Sequence, residues 1–267
     1  MSGGTGPRLG VAVTRPGATA GRLGELLQKA GAVVTHWPCI RFDRPAEPDR
    51  LAAAVSELET YDWVAVTSPR AARRWLEAVA AASGADPARR PPAAAAGPAT
   101  AAELGEAGWP VRRVADTYSA GGLVAAFASA GDSMGARILF PCSDRAGDEL
   151  PEGLRRLGAE VVRVTAYRTV ATPPDPSEIL EAARGGRVDV VTFTSPSTVE
   201  GFLAAATDVQ RREIRRWLAA AAIGPSTAAA LQAVGWPAVV AEEATLESLV
   251  AAVQRPRTED PSRTCSS

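Results

Sequence analysis

Residues 62–75 read DWVAVTSPRAARRW, and residues 189–202 read DVVTFTSPSTVEGF. Each stretch has an apolar run, then Thr-Ser-Pro, then a segment of helical composition, which is the pattern of a buried strand, a tight turn and a helix. The two stretches begin 127 residues apart. They indicate that the chain contains two copies of one unit built from strands and helices.

Further matches at the same spacing support an internal duplication. Two more motifs recur 127 residues later: Gly97-Pro98 as Gly224-Pro225, and Gly108-Trp109-Pro110 as Gly235-Trp236-Pro237. A period of this length is typical of two domain-sized copies rather than of a solenoid. Beyond these motifs the register slips by one residue, and the copies cover roughly residues 9–128 and 136–253.

Short apolar runs alternate with alanine- and leucine-rich segments of helical length along the whole chain. This alternation predicts an α/β fold with parallel sheets covered by helices. Ten strands are predicted, five for each sheet, near residues 9–13, 32–37, 62–66, 93–96, 111–115, 137–141, 160–165, 189–193, 219–223 and 238–241.

Two proline-rich connections lie at equivalent places in the copies, at residues 44–48 and 172–176, and such stretches usually link compact units. Cutting the chain there predicts two lobes, one of them discontinuous, with two linkers that hinge them around a cleft. The predicted boundaries are 1–38 with 168–253 for the discontinuous lobe, 42–165 for the continuous lobe, 39–41 and 166–172 for the linkers, and 254–267 for a disordered tail.

The composition argues against several classes of function. A net charge of -1 does not suit a general partner of nucleic acid or of a membrane surface. Three cysteines without CxxC spacing and a single histidine, His36, offer no metal site and no disulfide framework. The first residues lack a signal-peptide pattern. We therefore expect a cytoplasmic protein that binds neither nucleic acid nor membranes.

Four turns that follow predicted strands are the expected sites of chemistry. Ser68 and Ser195 would cap the helices after the two Thr-Ser-Pro turns, and Thr100 and Thr227 fall in the first helical turn after the two Gly-Pro turns. A cap alone explains any one such turn. However, open α/β sheets bind ligands at the carboxyl ends of their strands, and helix N-termini there attract anions. Four such turns suit a polyanion, and no GxGxxG or GxxxxGK[ST] motif indicates a nucleotide.

Three stretches in this order resemble the uroporphyrinogen-III synthase family: the strand-TSP-helix units, VTAYRTV at residues 164–170 and AAIGPSTAAAL at residues 221–231. The resemblance extends to about residue 253. It implies two flavodoxin-like lobes, one discontinuous, joined by a two-stranded linker. It also implies a cofactor-free, monomeric enzyme that closes hydroxymethylbilane to uroporphyrinogen III, with inversion of ring D and loss of water.

Two other interpretations remain open at this point. A non-catalytic, two-lobed protein derived from that family would bind an anionic ligand or a tetrapyrrole in a regulatory role. A nucleotide-dependent enzyme on Rossmann-like lobes is disfavoured, because the glycine fingerprints are missing.

The resemblance assigns the catalytic role to Tyr167, the tyrosine of the family's V-x-x-Y segment. An ordinary phenol is protonated at neutral pH and can donate a proton to a departing hydroxyl. The other copy has Ile40 at the equivalent position. A packing aromatic on a linker strand is the alternative interpretation of Tyr167.

The acetate and propionate groups of the substrate are expected at the four turns. Hydroxyl and backbone N–H donors would come from Ser68, Thr100, Ser195, Ser197, Ser226 and Thr227. Arg15 and Arg70, which follow strands, would pair with carboxylates through two parallel hydrogen bonds. Each arginine is equally consistent with a solvated surface side chain.

Overall fold

The computed structural model describes residues 8–82 and 87–255. The chain divides into two compact units: one runs from Phe42 to Thr169, and the other ends at Arg41 and resumes at Val170. Of the predicted disordered tail, Gln254 still belongs to the last helix, and residues 256–267 lie outside the described residues.

The described residues contain eleven strands: β1 (Gly10–Val13), β2 (Val33–His36), β3 (Ile40–Asp43), β4 (Trp63–Val66), β5 (Ala93–Ala95), β6 (Val111–Val114), β7 (Arg137–Ser143), β8 (Glu160–Ala171), β9 (Val190–Phe193), β10 (Ala219–Ala222) and β11 (Ala238–Val240). The α-helices are α1 (Gly21–Lys29), α2 (Pro48–Ser56), α3 (Pro69–Ala81), α4 (Pro98–Glu106), α5 (Ala120–Ala130), α6 (Glu149–Arg156), α7 (Pro176–Arg184), α8 (Pro196–Leu203), α9 (Asp208–Trp217), α10 (Pro225–Ala233) and α11 (Leu246–Gln254). No described helix is long and apolar enough to cross a membrane.

The strands form two sheets, as an α/β fold requires. The discontinuous unit has a five-stranded sheet in the order β11-β10-β9-β1-β2, and its neighbouring strands are parallel. The second sheet has six strands in the order β3-β8-β7-β4-β5-β6, and the pairs from β8 to β6 are parallel. The central strands β1, β4 and β9 are almost entirely buried because helices cover both faces of such a sheet.

All ten predicted strands are present, but the even division into five and five is wrong. The extra strand, β3, reads IRFD, which is short and only half apolar, so its pattern does not stand out from a loop. It pairs with β8, which continues to Ala171 instead of ending near residue 165. The division between the two units cuts both β3 and β8, so much of the two stretches predicted as linkers is strand.

The duplication recurs in the cores of the two units. The indole N–H of Trp109 donates to the carbonyl oxygen of Pro91 at 2.9 Å, and that of Trp236 donates to the carbonyl oxygen of Leu218 at 3.0 Å. Each of these tryptophans has its ring centroid 6.0 Å from an aromatic partner, Trp75 or Phe202 respectively. Both members of each of these three pairs of positions are 127 residues apart. The two units therefore keep the same aromatic anchor under the same turn.

Candidate functional site

The turn after β4 begins α3 with a serine cap. Ser68 has an extended backbone, and its Oγ accepts a hydrogen bond from the Ala71 N–H at 3.2 Å, while Pro69 occupies the start of the helix. This confirms the predicted cap. Ser68 is only half-buried, so its hydroxyl and the first N–H groups of α3 border solvent. Such a helix N-terminus suits an anion.

The equivalent turn after β9 has a fuller cap. The Ser195 Oγ accepts from the Thr198 N–H, and the Thr198 hydroxyl accepts from the Ser195 N–H, each at 3.3 Å. The Ser197 Oγ lies 2.9 Å from the Ser195 Oγ, and both serines are half-buried. The prediction that Ser195 caps α8 is confirmed. Two adjacent hydroxyls at one helix N-terminus can turn together toward a carboxylate.

The two Gly-Pro turns begin α4 and α10 without a side-chain cap. Thr100 and Thr227, in their first turns, are 3% and 1% exposed, so both side chains are enclosed by protein. Ser226, beside Thr227, is exposed. In these two turns the burial of the threonines favours a packing role for their hydroxyls, whereas Ser226 presents its hydroxyl to solvent.

Tyr167 lies in β8 at a break in strand register. Cys142 pairs with Thr165, but the next residue of β7, Ser143, pairs with Tyr167, so Ala166 is an extra residue in β8. This irregularity turns two consecutive side chains, those of Ala166 and Tyr167, into the protein. A β-bulge redirects side chains in this way and is frequent beside active sites. Tyr167 is 9% exposed.

Aromatic and cationic groups are arranged in a row beside Tyr167. Its ring meets the Phe42 ring edge-on, with centroids 5.6 Å apart and planes 80° apart. The Arg70 guanidinium carbon lies 3.5 Å from the centroid of the Phe42 ring. A cation at this distance is held by the ring quadrupole. The Phe42 side chain therefore fixes both the phenol and the guanidinium.

Asp144 holds the backbone of β8 on both sides of the tyrosine. Its N–H donates to the Tyr167 carbonyl oxygen at 3.1 Å, and its Oδ1 accepts from the Thr169 N–H at 3.0 Å. We call Arg70, Phe42, Asp144 and Tyr167 the Tyr167 cluster. Sequence reasoning missed Phe42 and gave Asp144 no role. The signal for Phe42 was present in the apolar–polar alternation of Ile40, Arg41, Phe42 and Asp43, had this stretch been interpreted as a strand.

Arg15 follows β1 in the discontinuous unit and is half-buried. Its carbonyl oxygen lies 3.0 Å from Nε2 of His36, at the end of the neighbouring strand β2. His36 thus contacts the loop after β1, which agrees with a structural role for this side chain.

Within each unit, the parallel strands bring the predicted residues to one edge of the sheet. In the continuous unit, β4, β7 and β8 are parallel, and Ser68, Arg70 and Tyr167 lie at their carboxyl ends. In the discontinuous unit, Arg15, Ser195, Ser197 and Ser226 follow the carboxyl ends of β1, β9 and β10. Each edge therefore offers helix N-termini, hydroxyls and an arginine, which together suit carboxylates.

The described thiols are poor nucleophiles. Cys39 and Cys142 are buried and unpaired. Burial raises the pKa of Cys39 to about 12, and burial also raises the pKa of Cys142. Both thiols therefore stay protonated at neutral pH, and the thiolate is the reactive form. Among the described residues no group of three His, Cys, Asp or Glu side chains is placed to hold a metal ion.

Comparisons with known proteins agree on one family. The model of the family described as uroporphyrinogen-III synthase HemD matches residues 21–251. A protein of Methanothermobacter thermautotrophicus, provisionally named uroporphyrinogen-III synthase, is 32% identical over 248 residues, which cover 91% of this chain and 96% of the relative. The chloroplastic uroporphyrinogen-III synthase of Oryza sativa is 30% identical over 267 residues, covering 91% of this chain and 80% of the relative.

A solved structure supports the fold independently of close sequence similarity. The uroporphyrinogen-III synthetase of Helicobacter pylori superimposes with a TM-score of 0.62 at 16% identity, covering 91% of this chain and 97% of that one. At this identity the likeness concerns the fold alone. It agrees with the α/β architecture of parallel sheets described above.

Proposed function

This chain belongs to the uroporphyrinogen-III synthase family, and from that premise we propose that the Tyr167 cluster and the serine-bearing turns bind and cyclise a linear tetrapyrrole. The activity is that of a cyclising lyase of haem biosynthesis, which converts hydroxymethylbilane to uroporphyrinogen III. Ring D is inverted in this reaction, and one molecule of water is lost.

The observation that carries the proposal is the row formed by Arg70, Phe42 and Tyr167 at the carboxyl edge of the sheet. We assign the phenol of Tyr167 as the general acid. It donates its proton to the terminal hydroxyl of the bilane, which leaves as water, and the carbon left behind becomes an azafulvene-type cation. Ring D attacks this cation through its substituted carbon, and the spiro intermediate fragments and closes again. The pyrrole proton released on closure restores the phenol, so no other reactant is consumed.

The carboxylates of the substrate are assigned to the helix N-termini and arginines of both units. Ser68, Ser195, Ser197 and Ser226 contribute hydroxyls, and Arg15 and Arg70 contribute guanidinium groups. The turns of Thr100 and Thr227 contribute through their position rather than through the threonine hydroxyls, because those side chains are buried. Many weak contacts distributed along a flexible substrate fix its geometry.

That geometry is what the enzyme must supply. Hydroxymethylbilane closes spontaneously to the uninverted isomer I, so reactivity alone does not give isomer III. Holding two reacting ends in one orientation contributes a large share of many enzymatic rate accelerations. The cleft between the lobes remains a prediction from the sequence, as do the monomeric state, the absence of a cofactor and the cytoplasmic location. We retain all four as part of the proposal.

The function is tested by product analysis. Purified protein incubated with freshly generated hydroxymethylbilane should yield mainly uroporphyrinogen III, in an amount that rises with protein concentration. The products are oxidised and isomers I and III are separated by chromatography, with a protein-free reaction as the control. If only isomer I formed, at the rate of that control, the chain would be a binding or regulatory descendant of the family.

Replacing Ser68 by aspartate separates the capping role of this residue from its proposed role in binding. Aspartate caps a helix about as well as serine and also favours the helix dipole, so the unfolding free energy should stay within about 0.5 kcal/mol of wild type. The new negative charge should repel a substrate carboxylate and raise KM roughly tenfold. Steady-state kinetics and urea denaturation measure the two effects.

Thr207→Asp provides the matched control for Ser68→Asp. Thr207 caps α9, which follows a helix rather than the carboxyl end of a strand. The same charge at this cap should leave KM unchanged. Equal KM values for Ser68→Asp and wild type would show that the turn after β4 serves only as a cap.

A further inference from the structure

The loop between β6 and α5 carries an aromatic side chain that faces solvent. Tyr118 is 72% exposed and directly precedes Ser119, the cap of α5. Large aromatic side chains bury much apolar area when they pack, so one this exposed contributes little to its own core. The question is whether the fold needs a tyrosine here.

The internal duplication answers that question, because the same loop occurs in the other unit after β11. Ser119 accepts from the Gly122 N–H at 3.0 Å and donates its own N–H to the carbonyl oxygen two residues before it at 2.7 Å. Thr245, the cap of α11, accepts from the Ser248 N–H at 3.1 Å and makes the equivalent backbone bond at 2.8 Å. The residue before Thr245 is Ala244.

Tyr118 and Ala244 also lie against the same neighbouring turn of their units. A Cβ placed on Gly97 would be 3.4 Å from Cβ and Cγ of Tyr118, and a Cβ placed on Gly224 would be 3.9 Å from Cβ of Ala244. These glycines begin the two equivalent Gly-Pro helices. Alanine therefore suffices for the loop and its contact, and the exposed tyrosine ring is an addition that the fold does not require.

The ring stands at the edge of the sheet that carries the proposed active site. Because β8, β7, β4, β5 and β6 are parallel neighbours, the loop after β6 lies at the same edge as the Tyr167 cluster. Four strand spacings separate β8 from β6, which is about 19 Å. The turns of Ser68 and Gly97 follow the strands between them. A chain of linked pyrrole rings bound along this edge would reach from one tyrosine to the other.

We propose that Tyr118 is a substrate-contacting residue whose ring stacks on a pyrrole ring of the bound tetrapyrrole, at the end of the site away from Tyr167. This inference rests on the proposed function and extends it to a residue outside the Tyr167 cluster and the four turns. The contact uses the ring face and not the phenol hydroxyl. Tyr118 thereby helps to hold the chain in the orientation that gives isomer III.

Tyr118→Ala tests the proposal, and Tyr118→Phe tests its chemistry. Loss of one stacked ring should raise KM for hydroxymethylbilane roughly five- to tenfold with little change in kcat, and phenylalanine should restore the wild-type KM. Because Ala244 occupies the same place in the other unit, Tyr118→Ala should keep the Tm of wild type. Tryptophan fluorescence quenching by uroporphyrin III measures binding without turnover, and Kd should follow the same order.

The outcomes separate this inference from the proposed function. Wild-type protein that neither forms isomer III nor binds uroporphyrin III would overturn both. Wild-type activity together with an unchanged KM and Kd for Tyr118→Ala would overturn only the role of Tyr118. Failure of phenylalanine to restore KM, or a fall in Tm for the alanine variant that accounts for the loss, would likewise reject the stacked ring.

Discussion

Tyr167→Phe is expected to lower kcat for formation of uroporphyrinogen III about a hundredfold, which is the scale of a lost general acid. The substitution removes only the phenol hydroxyl, so no proton donor faces the departing hydroxyl of the bilane. Spontaneous closure then competes, and the share of isomer I among the products should rise. Stopped incubations analysed for both isomers give the rate and the product ratio in one experiment.

The fold should tolerate this change because phenylalanine keeps the ring that packs on Phe42. Tyr61→Phe is the matched control: Tyr61 is a second buried tyrosine of the same core, and its ring lies beside Arg137, away from the Tyr167 cluster. It should leave kcat unchanged. A Tyr167→Phe protein with wild-type kcat would exclude the phenol as the acid and leave Tyr167 as a packing residue.

Gly201→Ala should lower the unfolding free energy by about 3 kcal/mol, the upper part of the range for overpacking a filled interior. Gly201 lies in α8, where alanine normally stabilises a helix. Here the added Cβ would lie 2.3 Å from the carbonyl oxygen of Cys39 and 2.8 Å from Cγ2 of Ile40. The carbonyl belongs to the backbone and cannot rotate away like a side chain, so α8 must shift. Urea denaturation followed by circular dichroism measures the loss.

Gly105→Ala supplies the opposite expectation from the same chemical change. Gly105 lies in α4, and a Cβ there would meet no atom within 4 Å. The equivalent position in the other copy is Gln232, so a side chain is accepted at this place in the helix. Gly105→Ala should raise the unfolding free energy by about 0.5–1 kcal/mol. If both variants were stabilised, the close approach of α8 to Cys39 would be wrong.

The duplication also shows where the two units differ in potential chemistry. Tyr167 and Tyr118 belong to the continuous unit, and the other unit has Ile40 and Ala244 at the matching positions. The capped Thr-Ser-Pro turns and the tryptophan anchors, in contrast, occur in both. The shared features support the fold and the binding of anions. The two tyrosines are specific to one unit, which is where the proposal locates proton donation and ring stacking.

The sequence by itself determined the duplication, ten of the eleven described strands and the caps at Ser68 and Ser195, because each depends on residues near one another in the chain. An apolar run predicts a buried strand, and a serine before a proline predicts a helix start. The half-apolar edge strand β3 was missed for the same reason, since its local pattern was weak.

Only the tertiary structure decided the contacts that give these elements a site. Phe42 meets Tyr167 across neighbouring strands, and Asp144 bonds β8 on both sides of that tyrosine. Only packing shows that Thr100 and Thr227 are enclosed and that Tyr118 is exposed. These facts depend on which strands are neighbours and on how closely helices approach them, and such contacts join residues too far apart in the chain for any local pattern to encode.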